Sequence, residues 1–512
     1  MDKKLYPLSN PQKSIWLTEE YYKGTNINNI AGTMTINHSV NFDKFILAIK
    51  QFVKQNDSCR LQLVKEVNTI KQFVLPYADF PISIIDVNSK EELSNVVNEI
   101  VKKPFSLYGS YLFEFTVFRL PNNHGGFIIN MHHLIGDSWT LGILVNEIIT
   151  NYSTLLKNEP LLEKSFSYID YIVTEKDYIQ SKRFEKDKAY WENIFSTVPE
   201  NATIPATVTN ANSNLMAKRK EFNIDNKMIK EITTYCNKYK ISIFNFFMAI
   251  YAIYLGRVSN LDDFVIGTPI LNRTNFQDKN TTGMFINTLP LRVQIDENSS
   301  FEDFVNFIAN QSMGLLRHQK YYYQYIIEDL RKKDSSLPSL YNIMISYQIT
   351  KMTEESDTVP HESNWYFTKS IADDLDIHLL DLNDTGSLNI AYDYRICKYH
   401  ENDIYLLHQR IIYLINQILS TNTILIKNLE IVTPEEKTHL LFDFNPPKVS
   451  YPSTKTVMEL FEEQVQKTPN NTAVVFEGQT LSYLQLSQKV NELAHYLNAK
   501  RYWLSRCSLL IF

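Results

Sequence analysis

The stretch that most constrains this chain is a short apolar run ending in a polar cluster. Phe127-Ile128-Ile129-Asn130-Met131 reads as a central strand, and Trp139, Leu141, Leu144, Val145, Ile148 and Ile149 recur at helical spacing just beyond it. Between them lies His132-His133-Leu134-Ile135-Gly136-Asp137, an HHxxxD pattern where a strand gives way to a helix. Such a turn is well placed to present catalytic side chains.

Side chains alternate across a strand, so His132 and His133 cannot both face one cavity; one looks out, the other back into the protein. One of them at most is catalytic. An imidazole of ordinary pKa, about 6.5, accepts a proton near neutral pH or holds a nucleophile by a hydrogen bond. Asp137 has two open roles: N-cap of the helix starting at Ser138, or an ion pair fixing the loop, with Arg60 the preferred partner. No metal is expected, since alternation separates the histidines and no third ligand is spaced for zinc. No GxSxG or Cys-His arrangement points to a covalent acyl-enzyme.

Asn41 to Asp57 carries Phe42, Phe45, Ile46, Ile49, Phe52 and Val53 on one helical stripe that suits packing on a sheet. Leu61 to Val64, Gln72 to Leu75, Phe80 to Val87 and Tyr111 to Arg119 read as strands. Ser165 to Phe195, rich in Tyr, Lys and Glu, reads as surface helices joining a first lobe to a second. The second lobe opens with helices near Asn226 to Tyr239 and Ser242 to Leu255, the latter capped by Ser242, and strand and helix then alternate to about residue 430. Pro446, Pro447 and Pro452 mark a linker. A helix over Val457 to Gln466, a strand over Thr472 to Phe476 and a helix over Ser482 to Leu497 follow.

Length and charge narrow the functional classes. At about 100 to 200 residues per domain, 512 residues suggest two to four units, each large enough for its own core. With 51 basic and 57 acidic side chains, a net charge of -6 gives no overall field toward nucleic acid or an anionic membrane. Cys59, Cys236, Cys397 and Cys507 are scattered without a CxxC pair, which argues against both a zinc site and a disulfide framework. The N-terminus lacks a signal-peptide core and no run of about 18 apolar residues occurs, so a cytoplasmic protein is expected. The triplet Asn201-Ala202-Thr203 then reports no glycosylation.

Further motifs in a fixed order carry a resemblance. Leu8-Ser9-Asn10-Pro11-Gln12 through Trp16, Asp57-Ser58-Cys59-Arg60, the HHxxxD cluster, Ile266-Gly267-Thr268-Pro269 with Asn272-Arg273, Gly283-Met284-Phe285-Ile286-Asn287-Thr288-Leu289-Pro290-Leu291-Arg292 and His318-Gln319 together resemble the condensation domains of nonribosomal peptide synthetases over about Leu5 to Ile431. Two departures stand out: Gly136 and Ser138 occupy places where Ser and Gly are usual, and Tyr322 stands where Pro is common. A side chain at Ser138 is expected to narrow the approach to His133.

The resemblance implies an α/β fold of two chloramphenicol-acetyltransferase-like lobes, meeting in a V-shaped pseudo-dimer with a central tunnel. It implies lobes over 1–175 and 176–435, a linker over 436–455, the N-terminal fragment of an adenylation domain over 456–500 and an aberrant tail over 501–512, as a truncated or frameshifted gene would leave. His133 is the implied catalytic residue, His132, Asp137 and Arg60 hold the site, and Gly136, Ser138, Trp139, Asn287, Arg292, Ser346 and Gln348 are tunnel or motif positions.

The implied reaction joins an acyl thioester to the amine of an aminoacyl thioester carried on the 4'-phosphopantetheine of a carrier protein, with no covalently bound cofactor and a monomeric enzyme. The donor is an acyl-CoA or an acyl carrier protein. The chain begins almost at its first motif, and Pro7 to Ile30 resembles lipopeptide starter domains; both point to an initiating position that takes fatty acyl-CoA. Competing readings are a noncatalytic recruitment domain, an inactive truncated remnant, and a free-standing CoA-dependent acyltransferase.

Overall fold

The helix expected over Asn41 to Asp57 runs from Phe42 to Gln55 in the computed structural model, which describes residues 4–67, 69–163, 166–208, 214–349, 359–382, 387–421, 423–445 and 452–499. Its limits are chemical. The Asn41 side chain accepts from the Lys44 amide, Asp43 lies in the first turn and Lys54 in the last, so each end meets the sign its dipole favours. The stripe of Phe45, Ile49, Phe52 and Val53 is fully buried against Phe127, Ile129, Leu144 and Ile148. Burying each such side chain stabilises by roughly 1.5–3 kcal/mol.

The chain divides into two units, residues 1–433 and 434–512. The first holds a mixed α/β fold around two large sheets. One sheet has the spatial order Glu362–Tyr366, Asn29–Ile36, Gly125–His132, Phe113–Arg119, Ser83–Asp86, antiparallel except for its last pair. Every residue of Gly125–His132 is buried, which fits its central place. The other sheet runs Asn287–Gln294, Asp263–Ile270, Ile343–Ile349, Leu375–Leu382, Ser387–Arg395, Ala217–Ile224. Helix Ile243–Ser259 is apolar almost all round and buried from Phe246 to Gly256, and Ser242 does cap it by accepting from the Asn245 amide.

Three expectations are corrected here, and one strand is added. Strand Glu362–Tyr366 pairs with Asn29–Ile36, so a cut at residue 175 does not separate the lobes. The strand Asn29–Ile36 is not apparent in the sequence, because Gly32, Thr33 and Thr35 interrupt its apolar pattern. Gly32 is required there, since a Cβ would lie 2.3 Å from the Trp365 ring. Helices Tyr168–Ile179 and Lys182–Ile194 are not merely superficial: Tyr168, Ile172 and Trp191 are buried. Strand and helix also cease to alternate between Ile343 and Arg395, where four strands follow one another.

The second unit contains helices Pro434–Thr438, Val457–Lys467 and Tyr483–Ala499 and a hairpin of Thr472–Phe476 with Gln479–Ser482. Glu477 and Gly478, both at positive φ, make its turn. The prolines 446 and 447 and the tail 501–512 lie outside the described residues.

Candidate active site

Strand Gly125–His132 ends at the histidine pair, and the two rings part company. His132 is buried; its Nδ1 accepts from the Leu134 amide at 3.1 Å, which places its proton on Nε2, 3.4 Å from Glu19 Oε2. Burial opposes charge on Glu19, but hydrogen bonds from His132 and Asn28 outweigh it and hold the carboxylate below its ordinary range. His132 therefore braces the strand end from within.

His133 faces the other way and is partly accessible. Its amide donates to Asn28 O at 2.8 Å, and its Nδ1 lies 3.0 Å from Gly136 O. A carbonyl only accepts, so Nδ1 carries the proton and the neutral ring presents Nε2 as a lone pair. Burial pushes the imidazole down to about 4, against the pull of the Asp137 carboxylate and with a small contribution from His132. Although the residue is partly accessible, desolvation of the ring dominates.

Asp137 performs both of the roles open to it, with a different partner. Oδ1 caps helix Ser138–Leu156 by accepting from the Thr140 amide at 2.8 Å. Arg273 Nη2 donates to Oδ1 at 2.9 Å and Oδ2 at 3.1 Å, and the Phe285 amide donates to Oδ2 at 3.1 Å. Both charged side chains are buried to within 1%. Arg60, the expected partner, instead donates to the carbonyls of Val53, Leu75 and Lys54. It satisfies acceptors left open at the end of helix Phe42–Gln55, a structural duty well suited to a guanidinium.

Around this pair the sequence motifs converge. Thr140 Oγ1 donates to Gly283 O at 2.9 Å, and the Gly283 amide returns a bond at 3.0 Å. Gly283 sits at φ +145° under the Tyr168 ring, where a Cβ would come within 2.1 Å. Tyr168 donates its hydroxyl proton to Met284 O at 2.6 Å and accepts from Ser9 Oγ at 2.8 Å. Ser58 and Thr282 hydroxyls lie 2.7 Å apart. The opening motif, the Asp57–Arg60 motif and the Gly283 motif thus close on the HHxxxD turn.

The other sequence candidates scatter. Trp139 Nε1 donates to Lys279 O at 2.8 Å, while Ser138 is exposed at the first turn of its helix. A side chain at Gly136 would meet Thr140 Cγ2 at 2.9 Å. Asn287 Nδ2 donates to Gln319 O at 2.9 Å and so shapes the His318-Gln319 segment. Arg292 grips Asp263 and the Ile194 carbonyl, away from the histidines. Ser346 Oγ is 2.7 Å from His378 Nδ1, and Gln348 Nε2 is 3.3 Å from Ser346 Oγ. These two share the second sheet's face opposite Ile343 and Ile345, and no hydrogen bond among the described residues joins them to His133. Sequence reasoning gives Arg273, Thr140, Tyr168 and Glu19 no individual role; Arg273 is visible there only as part of a longer motif.

Comparison with known proteins identifies the family and the fold. Surfactin synthase subunit 1 of Bacillus subtilis (strain 168) is 35% identical over 508 residues, and gramicidin S synthase 2 of Aneurinibacillus migulanus is 26% identical over 512. Each alignment covers 98% of this chain, which spans only 14% and 11% of those relatives. Among solved structures, the starter condensation domain of rhizomide synthetase in complex with C8-CoA superposes with a TM-score of 0.73 at 20% identity, covering 83% of this chain and 98% of that one. The first condensation domain of the calcium-dependent antibiotic synthetase, with a substrate analogue, gives 0.72 at 16% identity over 84% and 99%. The sequence model of the condensation domain matches residues 2–441. The chain belongs to the condensation-domain family.

Proposed function

We propose that this chain forms an amide between an acyl thioester and the amine of an aminoacyl thioester on a carrier protein, with His133 as the catalytic residue. The observation that carries this reading is the Nδ1–H bond from His133 to Gly136 O, which leaves Nε2 free as an acceptor on a partly accessible residue. The attacking amine donates a proton to Nε2 as its nitrogen bonds to the carbonyl carbon. The C–S bond then breaks, and the proton leaves with the thiol.

With its pKa near 4, His133 is neutral at pH 7 and needs no prior deprotonation. It holds a full proton poorly, at about 4 kcal/mol for three units. Its main contribution is thus orientation of the amine, with transfer completed as negative charge grows on the thioester oxygen. Holding both reactants in line contributes more, roughly 7–11 kcal/mol in well-oriented systems.

The donor in this reading is an acyl-CoA. The starter-like segment Pro7 to Ile30 and the fold shared with a starter domain crystallised with C8-CoA support it. The reading also takes residues 456–500 as the start of an adenylation domain, supported by alignments to synthetases that run past residue 441. No single helix among the described residues is long and apolar enough to cross a membrane; action in the cytoplasm is part of the proposal.

The test offers the purified chain an aminoacyl carrier protein with either C8-CoA or the same acyl group on a carrier protein, and follows amide formation by intact-protein mass spectrometry. Faster product from C8-CoA is expected. Product only from the acyl carrier protein would overturn the starter assignment while leaving amide formation intact.

A further inference from the structure

Asn272 immediately precedes the arginine that holds Asp137, and it adopts φ +54° although it is not glycine. Left-handed backbone is sparsely populated by L-residues; asparagine tolerates it better than most, and side-chain contacts select it here. Asn272 is buried, and its Nδ2 donates to Phe285 O at 3.3 Å and to the Tyr322 hydroxyl at 2.8 Å. Those contacts tie the turn to two places at once.

The hydroxyl that receives this bond belongs to a buried network. It lies 2.5 Å from the Tyr171 hydroxyl and also hydrogen-bonds the Glu175 carboxyl, whose Oε1 is 3.5 Å from the Tyr171 hydroxyl. Glu175 Oε2 accepts from the Asn10 amide at 2.9 Å. The second lobe's turn is thereby moored to helix Tyr168–Ile179 and to the opening motif. A cavity of about 30 Å³ lies beside Tyr171, Glu175, Asn272 and Tyr322.

What the turn delivers is the Arg273 guanidinium. Its Nη1 donates to Asp278 O and Thr281 O at 2.5 Å each, its Nη2 meets Asp137, and its Cζ lies 3.9 Å from the Phe285 ring centroid. Phe285 joins both ends of this arrangement, since its carbonyl takes the Asn272 bond and its amide donates to Asp137.

We propose that Tyr322 is a positioning residue: its hydroxyl holds Asn272 in the left-handed turn that aims Arg273 at Asp137, and so fixes the loop carrying His133. This rests on the functional reading above for its kinetic consequence, but not for its structural one. A residue without a hydroxyl at this place could not accept from Asn272, so the device depends on the tyrosine of this chain.

The test removes one oxygen with Tyr322→Phe and follows two signals. The first is the His133 ring resonance in histidine-labelled protein, identified by its absence in His133→Ala. It should move in the same direction as in Arg273→Lys. The second is amide formation, where kcat should fall about fivefold to tenfold, as loss of one hydrogen bond predicts, with KM within about twofold.

Asn272→Gly adopts positive φ without needing the side-chain tether, so adding Tyr322→Phe to it should change neither signal further. If Tyr322→Phe fails to fold, Tyr171→Phe cuts the network one hydroxyl farther out and should move the His133 resonance in the same direction by less. An unmoved His133 resonance in the folded variant, or an equal loss on both backgrounds, would overturn the proposal. A wild-type protein that forms no amide would refute the functional reading instead, and the resonance alone would then decide the role of Tyr322.

Discussion

Arg273 Nη2 lies 2.9 Å from Asp137 Oδ1, joining a turn of the second lobe to the helix cap that follows the histidine pair. Both side chains are out of water, so each charge depends on the other.

Removing one partner should therefore be costly. Arg273→Ala is expected to destabilise by about 3–5 kcal/mol, the usual cost of stranding a buried charge. Arg60→Ala loses bonds to three carbonyls but strands no carboxylate, and should cost about 1–3 kcal/mol. Urea unfolding of the two variants checks the order; a larger loss for Arg60 would contradict the pairing.

Buried Glu175 gives stability an unusual pH slope. Burial raises its carboxyl from 4.5 to about 7, against hydrogen bonds from Asn10 and Tyr322 and the charge of Lys13. The folded state thus keeps a proton that the unfolded chain releases, and this contribution is lost as pH rises from about 4.5 to 7. The span corresponds to about 3 kcal/mol. Glu175→Gln stays neutral and should flatten that part of the stability profile, measured by denaturant titration at a series of pH values.

The depressed His133 makes a kinetic prediction of opposite sign. Its protonation should remove activity only as pH falls toward about 4, so the rate should show no His133 bend near 6.5. A profile of single-turnover amide formation with the acceptor amine's own titration subtracted tests this. A bend near 6.5 that vanishes in His133→Gln would count against the dry environment described for the ring.

The exchanged residues at 136 and 138 are not equivalent. Gly136→Ser would push a Cβ to 2.9 Å from Thr140 Cγ2, on the residue whose hydroxyl bonds Gly283. Overpacking of this kind costs about 1–3 kcal/mol. Ser138 is exposed, and Ser138→Gly should leave the melting temperature close to wild type. Thermal unfolding distinguishes the two, and a faster amide-forming rate in Ser138→Gly would support a narrowed approach to His133.

The HHxxxD unit was legible because its signals are local: an apolar strand, a polar turn and a helix stripe within about 25 residues. The same holds for helix Phe42–Gln55. Asp137's partner was not legible, because it lies 136 positions downstream and only the folded second lobe brings it near. Arg60 is the partner the sequence favours, yet the open carbonyls at the end of its own neighbouring helix claim it first. Strand Asn29–Ile36 escaped for a related reason, since Gly32 answers to Trp365, more than 300 residues away. One signal was present and unused: asparagine favours left-handed backbone, and Asn272 stands directly before an arginine within a motif.

The most direct measurement is single-turnover amide formation from C8-CoA and an aminoacyl carrier protein, comparing wild type with His133→Ala at pH 7. The account predicts a folded variant that still binds both substrates and makes product about 100-fold more slowly, at the low end for a placed base. A folded His133→Ala that forms amide at the wild-type rate would contradict it.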